Sequence, residues 1–227
     1  MTPLTLLALA AAAFVGTHLL MSHPLRAGLV ARLGDKGFLG VYSLVSIATL
    51  GATAHFYSPA KATAPAPLWD AGDAGWWIAT LLMWLGAILF VGSLRKNPAF
   101  PTGGAPVTRI GEARGVFAIT RHPMLWGFIL WSAVHALVNA TAAALMISAA
   151  IAILSLAGGI GQDAKKERLI GEPWRDWEAR TSFMPFGKGF ALPDAIALVG
   201  GTVLWAAATW AHGALGFQPA GLFHFLR

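Results

Sequence analysis

An all-α, polytopic membrane helical bundle of about six transmembrane helices, with both termini periplasmic, is the fold this sequence predicts, and three observations predict it. Apolar side chains make up 56% of the 227 residues and charged ones only 11%, far below the quarter or so usual in soluble domains. Six stretches approach the roughly 17 to 25 residues that cross about 30 Å of hydrocarbon: near 3 to 22, 37 to 57, 76 to 94, 123 to 139, 142 to 162 and 190 to 212. Lys and Arg gather in alternate loops: Arg26, Arg32 and Lys36; then Arg95, Lys96, Arg109, Arg114 and Arg121; then Lys165, Lys166, Arg168, Arg175, Arg180 and Lys188. Only Lys61 and Arg227 fall on the other side, so the positive-inside bias assigns those loops to the cytoplasm.

The first span lacks a basic leader and is followed by positive charge, which predicts a retained helix. Along the second, Tyr42, Ser46, Thr49 and Thr53 recur at helical spacing as a polar stripe that either packs against a neighbour or lines a pocket. The loop of residues 95–121 is rich in turn formers, Asn97, Pro98, Pro101, Gly103, Gly104 and Pro106, until Pro123 opens the fourth span at a position where a missing N–H costs nothing. The fourth and fifth spans meet at Asn139 with only a few residues between them, which predicts an antiparallel helical hairpin. After the fifth span, DAKKERLIGEPWRDWEART predicts a helix, a turn near Gly171 and Pro173, and a second short helix at the headgroup level, with Trp174 and Trp177 as interfacial anchors. The tail GFQPAGLFHFLR reads as an interfacial amphipathic segment. No internal repeat or linker divides the chain, which predicts one domain over residues 1–227.

The net charge of +6 is dispersed over three loops, so it reads as topology and contact with anionic lipid, not as a nucleic-acid footprint. The absence of cysteine excludes disulfides, thiolate ligands and covalent haem attachment. Histidine is the informative residue. His18 lies near the inner end of the first span, His55 near the outer end of the second, His122 at the start of the fourth and His135 in its outer half. An ionisable residue in hydrocarbon is costly, so several in one bundle point either to satisfied interhelical hydrogen bonds or to a site. Neutral imidazole is a common ligand of haem iron, and helical bundles build cofactor sites from facing helices.

His122 and His135 are thirteen residues apart, roughly 20 Å along a helix, and do not serve one metal. Ser132 and Asn139, at i−3 and i+4 from His135, share its face and are candidates to orient it. Arg121 and His122 precede a helix N-terminus, a natural place for a carboxylate or phosphate such as a haem propionate. His23 beside Pro24 reads as solvated, and His212 and His224 as flanking the outer tail.

TRHPMLWGFILWSAVHAL, with THLLMSHPLR and VYSLVS, resembles the NnrU family of bacterial membrane proteins over nearly the whole chain. The resemblance implies a protein of the bacterial inner membrane associated with denitrification and nitric-oxide metabolism, with other membrane or respiratory proteins as partners. That family is similar to the zeta-carotene isomerase of plants, which contains haem b. The likeness implies haem b here, with the isomerase's ligand pattern falling on His18 and His135, His55 being the alternative by depth, and Tyr42, Ser132, Arg121 and His122 near the cofactor. Where the isomerase has a cysteine three residues before the second histidine, this chain has Ser132, so no thiolate can replace a ligand. More widely, GVFAITRHP and ERLIGEPWRDWEARTSFMPF resemble segments that bind S-adenosylmethionine in isoprenylcysteine carboxyl methyltransferases, although Leu125 stands where an aromatic is usual. Three classes follow: a haem-dependent redox or isomerase-like enzyme, a haem-containing accessory factor, and a methyltransferase.

Overall fold

The computed structural model describes residues 1–100, 107–215, 217 and 221–225. Pro101, Gly103, Gly104 and Pro106 lie outside them, as does part of the tail. The elements are α1 (Pro3–Ser22), α2 (Arg26–Ala62), α3 (Gly72–Ser93), α4 (Val116–Ile119), α5 (Pro123–Val138), α6 (Ala142–Ile170), α7 (Glu172–Arg180), α8 (Ala195–Ala214) and a 3₁₀ turn at Gly221–His224. No strand occurs among the described residues.

Local chemistry explains the ends. The Thr2 hydroxyl accepts from Thr5 N at 3.2 Å and Pro3 opens α1. Asp194 caps α8 by accepting from Ala197 N at 2.9 Å. Gly171, at φ 73°, stops α6, and α7 starts on the next residue, as the sequence predicts. Gly34, at φ 68° and ψ 168°, interrupts α2. The expected second span therefore acquires a short arm carrying Arg26 and Arg32 before the break.

Five helices, α1, α2, α3, α6 and α8, are long and apolar enough to cross a membrane. The remaining expected span, the fourth, is α5, which is apolar but has 16 residues, about 24 Å at 1.5 Å per residue. The chain is a multi-pass, all-helical membrane protein. Its loop charges predict the orientation: a cysteine at Ser58 or Asn139 should react with an impermeant thiol reagent from outside, and one at Thr102 should not. The reverse labelling pattern would invert the topology.

The helices form two compact units, Met1–Asp70 with Asn139–Lys165, and Ala71–Val138 with Lys166–Arg227. In the first, α1 packs along α2, and Leu7, Ala60 and Ala143 form a small core with Leu4, Phe56, Tyr57, Met146 and Ile147 around it. Alanine at these contacts lets backbones approach, while Leu44 and Ile47 point outward, as side chains facing lipid do. Leu68 N donates to Ala140 O at 3.0 Å and fastens the loop after α2 to the turn after α5.

In the second unit α3 packs against both α5 and α8. Glycine makes this possible. A Cβ on Gly127 would lie 2.9 Å from Gly86 O, and one on Gly201 would lie 2.5 Å from Ile88 Cα.

Beyond these helices the same unit carries a head built from α4, α7 and their loops. Trp174 and Trp177 are 0% and 2% exposed and sit in one core with Val116, Phe117, Ile119 and Ile110. They are interior residues, which corrects the reading of them as interfacial anchors. Charged neighbours on a short helix hide an apolar face that only the tertiary fold reveals.

Candidate functional site

In the first unit, α1 presents His18 to the polar stripe of α2. The Tyr42 hydroxyl makes a short hydrogen bond with His18 Nε2, and the Ser46 hydroxyl lies 3.3 Å from Nδ1. Phe38 stacks on Tyr42 with centroids 5.7 Å apart, and Phe14 lies 5.7 Å from the imidazole. The rest of the stripe turns inward on its own helix: Thr49 donates to Val45 O and Thr53 to Thr49 O, each at 2.8 Å. His18 is thus held by two hydroxyls one turn apart, and to bind iron through Nε2 it would have to leave Tyr42. His55 is exposed on α2, against Phe56. His23, expected to be solvated, is half-buried, with its ring so close to Gly161 that a Cβ there would lie 2.6 Å from Nε2.

In the second unit, His135 lies in the last turn of α5. Its Nδ1 lies 2.8 Å from the Trp131 carbonyl, and its ring stacks on the Trp131 indole with centroids 3.9 Å apart. A carbonyl only accepts, so Nδ1 carries the proton and Nε2 carries the lone pair. Ser132 donates instead to Phe128 O at 2.9 Å, and Asn139 accepts from Thr141 at 3.3 Å. The backbone one turn earlier, not either polar side chain, orients the ring.

Sequence reasoning missed His212. It lies in the last turn of α8, its centroid 6.5 Å from that of His135, with Nδ1 2.6 Å from Ala208 O. The two imidazoles are therefore in the same tautomer, each tied to the carbonyl four residues back. The available signal was that both were assigned to the outer half of the membrane. Nearby, His224 stacks on Trp76 at 4.0 Å and Phe225 on Trp77 at 4.1 Å, so these two residues of the tail dock on α3.

At the other end of α5, His122 is buried and Arg121 lies over the Phe183 ring at 5.6 Å. Arg121 N donates to Ser182 O at 2.8 Å, Thr120 Oγ1 to Phe183 O at 2.7 Å, Trp126 Nε1 to Phe183 O at 2.8 Å, and Phe186 N to Ile119 O at 2.8 Å. His122 N donates to Thr120 Oγ1 at 3.2 Å. The Arg121 and His122 N–H groups are thus engaged with protein oxygens in the loop that leads into α5. Lys166 is buried and donates to Phe100 O at 3.0 Å and Pro98 O at 3.3 Å, closing the start of the long loop onto α6. On the rim, Arg114 holds the Glu112 carboxyl below the usual range by hydrogen bonds of 2.5 and 3.0 Å. Among the described residues no group of three or more His, Asp or Glu is arranged to hold a metal ion.

The family model described as NnrU protein matches residues 6–219. This chain belongs to the NnrU family. Comparison with curated proteins and with solved structures gave no match. The match extends from α1 to just beyond α8, so the NnrU chain is matched across both units and across His18, His135 and His212 alike.

Proposed function

We propose that this NnrU-family protein binds haem b within the bacterial inner membrane and serves nitrogen-oxide metabolism as a redox or isomerase-like enzyme or its accessory factor. One observation carries the reading: His135, on an apolar helix, is fixed by the Trp131 carbonyl in the tautomer that leaves Nε2 available to iron. His18, by contrast, has both ring nitrogens engaged, with Tyr42 and Ser46.

Bound haem supplies one-electron chemistry and an iron site for small gaseous ligands. The chain's own part is to hold the imidazole and to exclude water. Stacking on Trp131 and the bond to its carbonyl stop the ring from rotating, so the nitrogen is presented in one direction.

A specific observation favours the methyltransferase as a second reading: hydrogen bonds join the Ile119–Trp126 stretch to the Ser182–Phe186 stretch, so the two segments resembling the cofactor-binding ones fold as one head. Absorption spectra and iron content of protein made with ample haem decide between them. The expected result is a Soret band at about one haem per chain, sharpened on reduction. Protein with no haem and no metal, binding S-adenosylmethionine at micromolar concentration in a titration that Arg121→Ala abolishes, would replace the haem reading with the methyltransferase one.

A further inference from the structure

We propose that His135 and His212 hold one metal centre between them, each through Nε2, and that this centre asks only two ligands of the protein: the iron of a haem or a single copper(I) ion. The haem arm rests on the function proposed above and names its second ligand. The copper arm stands without it.

The separation of the rings is the first ground. Their centroids are 6.5 Å apart with planes at 40°. That spacing keeps the two Nε2 atoms at least about 4 Å apart, which leaves room for one ion between two metal–nitrogen bonds of about 2.0 to 2.1 Å. A shared proton would need the nitrogens within about 3.2 Å.

The second ground is the matched anchoring. Both Nδ1 atoms are committed to backbone carbonyls, at 2.8 and 2.6 Å, which is the outer-shell bond that fixes a ligating histidine and raises its basicity. Two helices have independently placed the same tautomer at their last turns. Nδ1 carries the proton in both rings, so each Nε2 keeps a lone pair for a metal ion.

The ligand count then selects the metal. With no cysteine in the chain and no third His, Asp or Glu among the described residues arranged with these two, the pair cannot complete the four-ligand shell of a structural zinc or the oxygen shell of a hard ion. Haem brings four equatorial nitrogens and needs two axial ligands; copper(I) is a soft ion that imidazole suits and that is content with two donors. Trp131 under His135 and Phe217, 6.4 Å from His212, give the pair aromatic neighbours.

The test uses the full chain in detergent, comparing wild type with His135→Ala, His212→Ala and His18→Ala for haem content, optical spectrum and the electron spin resonance of the oxidised protein. We expect His135→Ala and His212→Ala each to lower retained haem at least tenfold or convert a low-spin signal to high-spin, while His18→Ala keeps the wild-type spectrum. His212→Gly, with added imidazole restoring the low-spin signal, separates ligand loss from misfolding. If wild type holds no haem, titration with copper(I) should show one equivalent bound and lost in both variants; that result keeps this site and discards the haem reading. Haem retained unchanged in His212→Ala but lost in His18→Ala would overturn the proposal in favour of the pair implied by family resemblance. A wild-type protein that binds neither haem nor copper(I) would overturn it too.

Discussion

Gly201→Val is expected to abolish the packing of α8 on α3 and to leave little monodisperse protein after extraction. A Cβ at this position would lie 2.5 Å from Ile88 Cα and 2.7 Å from Ile88 N. Overpacking that a side chain can relieve by rotating usually costs about 1 to 3 kcal/mol. Here the obstacles are backbone atoms of a neighbouring helix, so relief requires the helices to separate. The next turns offer no slack, since a Cβ on Gly92 would lie 2.5 Å from Val116 and 2.9 Å from Ala197. Gly213→Ala on the same helix meets nothing within 4 Å and is the control, expected to be neutral or slightly stabilising. Size-exclusion profiles and thermal midpoints in detergent check both. An intact Gly201→Val protein would mean that α3 and α8 are not in contact in solution.

Some of this was legible in the sequence and some was not, for physical reasons. A membrane span is announced by length and apolarity, so α1 begins and ends where the sequence places it, and Pro123 opens α5 as expected. Which face of a span meets protein is harder to read, because lipid and core are equally apolar. Small residues such as Gly86, Gly127 and Gly201 were the only local trace of the α3 contacts. The link from His18 to Tyr42 and Ser46 joins residues already singled out, yet nothing in spacing said that both imidazole nitrogens would be occupied. His212 reads from the sequence only as a residue flanking the outer tail. Its partner is 77 positions earlier, and two helix ends become neighbours only through a third helix that packs with both. The tryptophans of α7 failed in the opposite sense: Arg175, Asp176, Glu178 and Arg180 make the segment look like a surface helix, while Trp174 and Trp177 fill the core beneath.

That core supplies the other large effect. Trp174→Ala should cost about 3 to 5 kcal/mol, the usual range for truncating a fully buried aromatic. It also removes the indole N–H that donates to Glu178 Oε1 at 3.1 Å. The first consequence is local: the head should open, and limited proteolysis should cut within residues 107–115 or 181–194 at protein concentrations where wild type resists. The informative consequence lies at the far end of α5. His122, in the head, and His135 are thirteen residues apart, roughly 20 Å along the helix. The Trp131 carbonyl and stacked indole that position His135 belong to its own helix and do not depend on the head. Trp174→Ala should therefore keep most of its haem or copper(I) while losing thermal stability, whereas His135→Ala should lose the metal and keep the head's protease resistance. A cofactor bound in the head would reverse this: S-adenosylmethionine held between the Arg121 and Ser182 stretches has no site once α7 loses its central side chain. Equal loss of Soret absorbance in both variants would move the candidate site away from His135 and into the head.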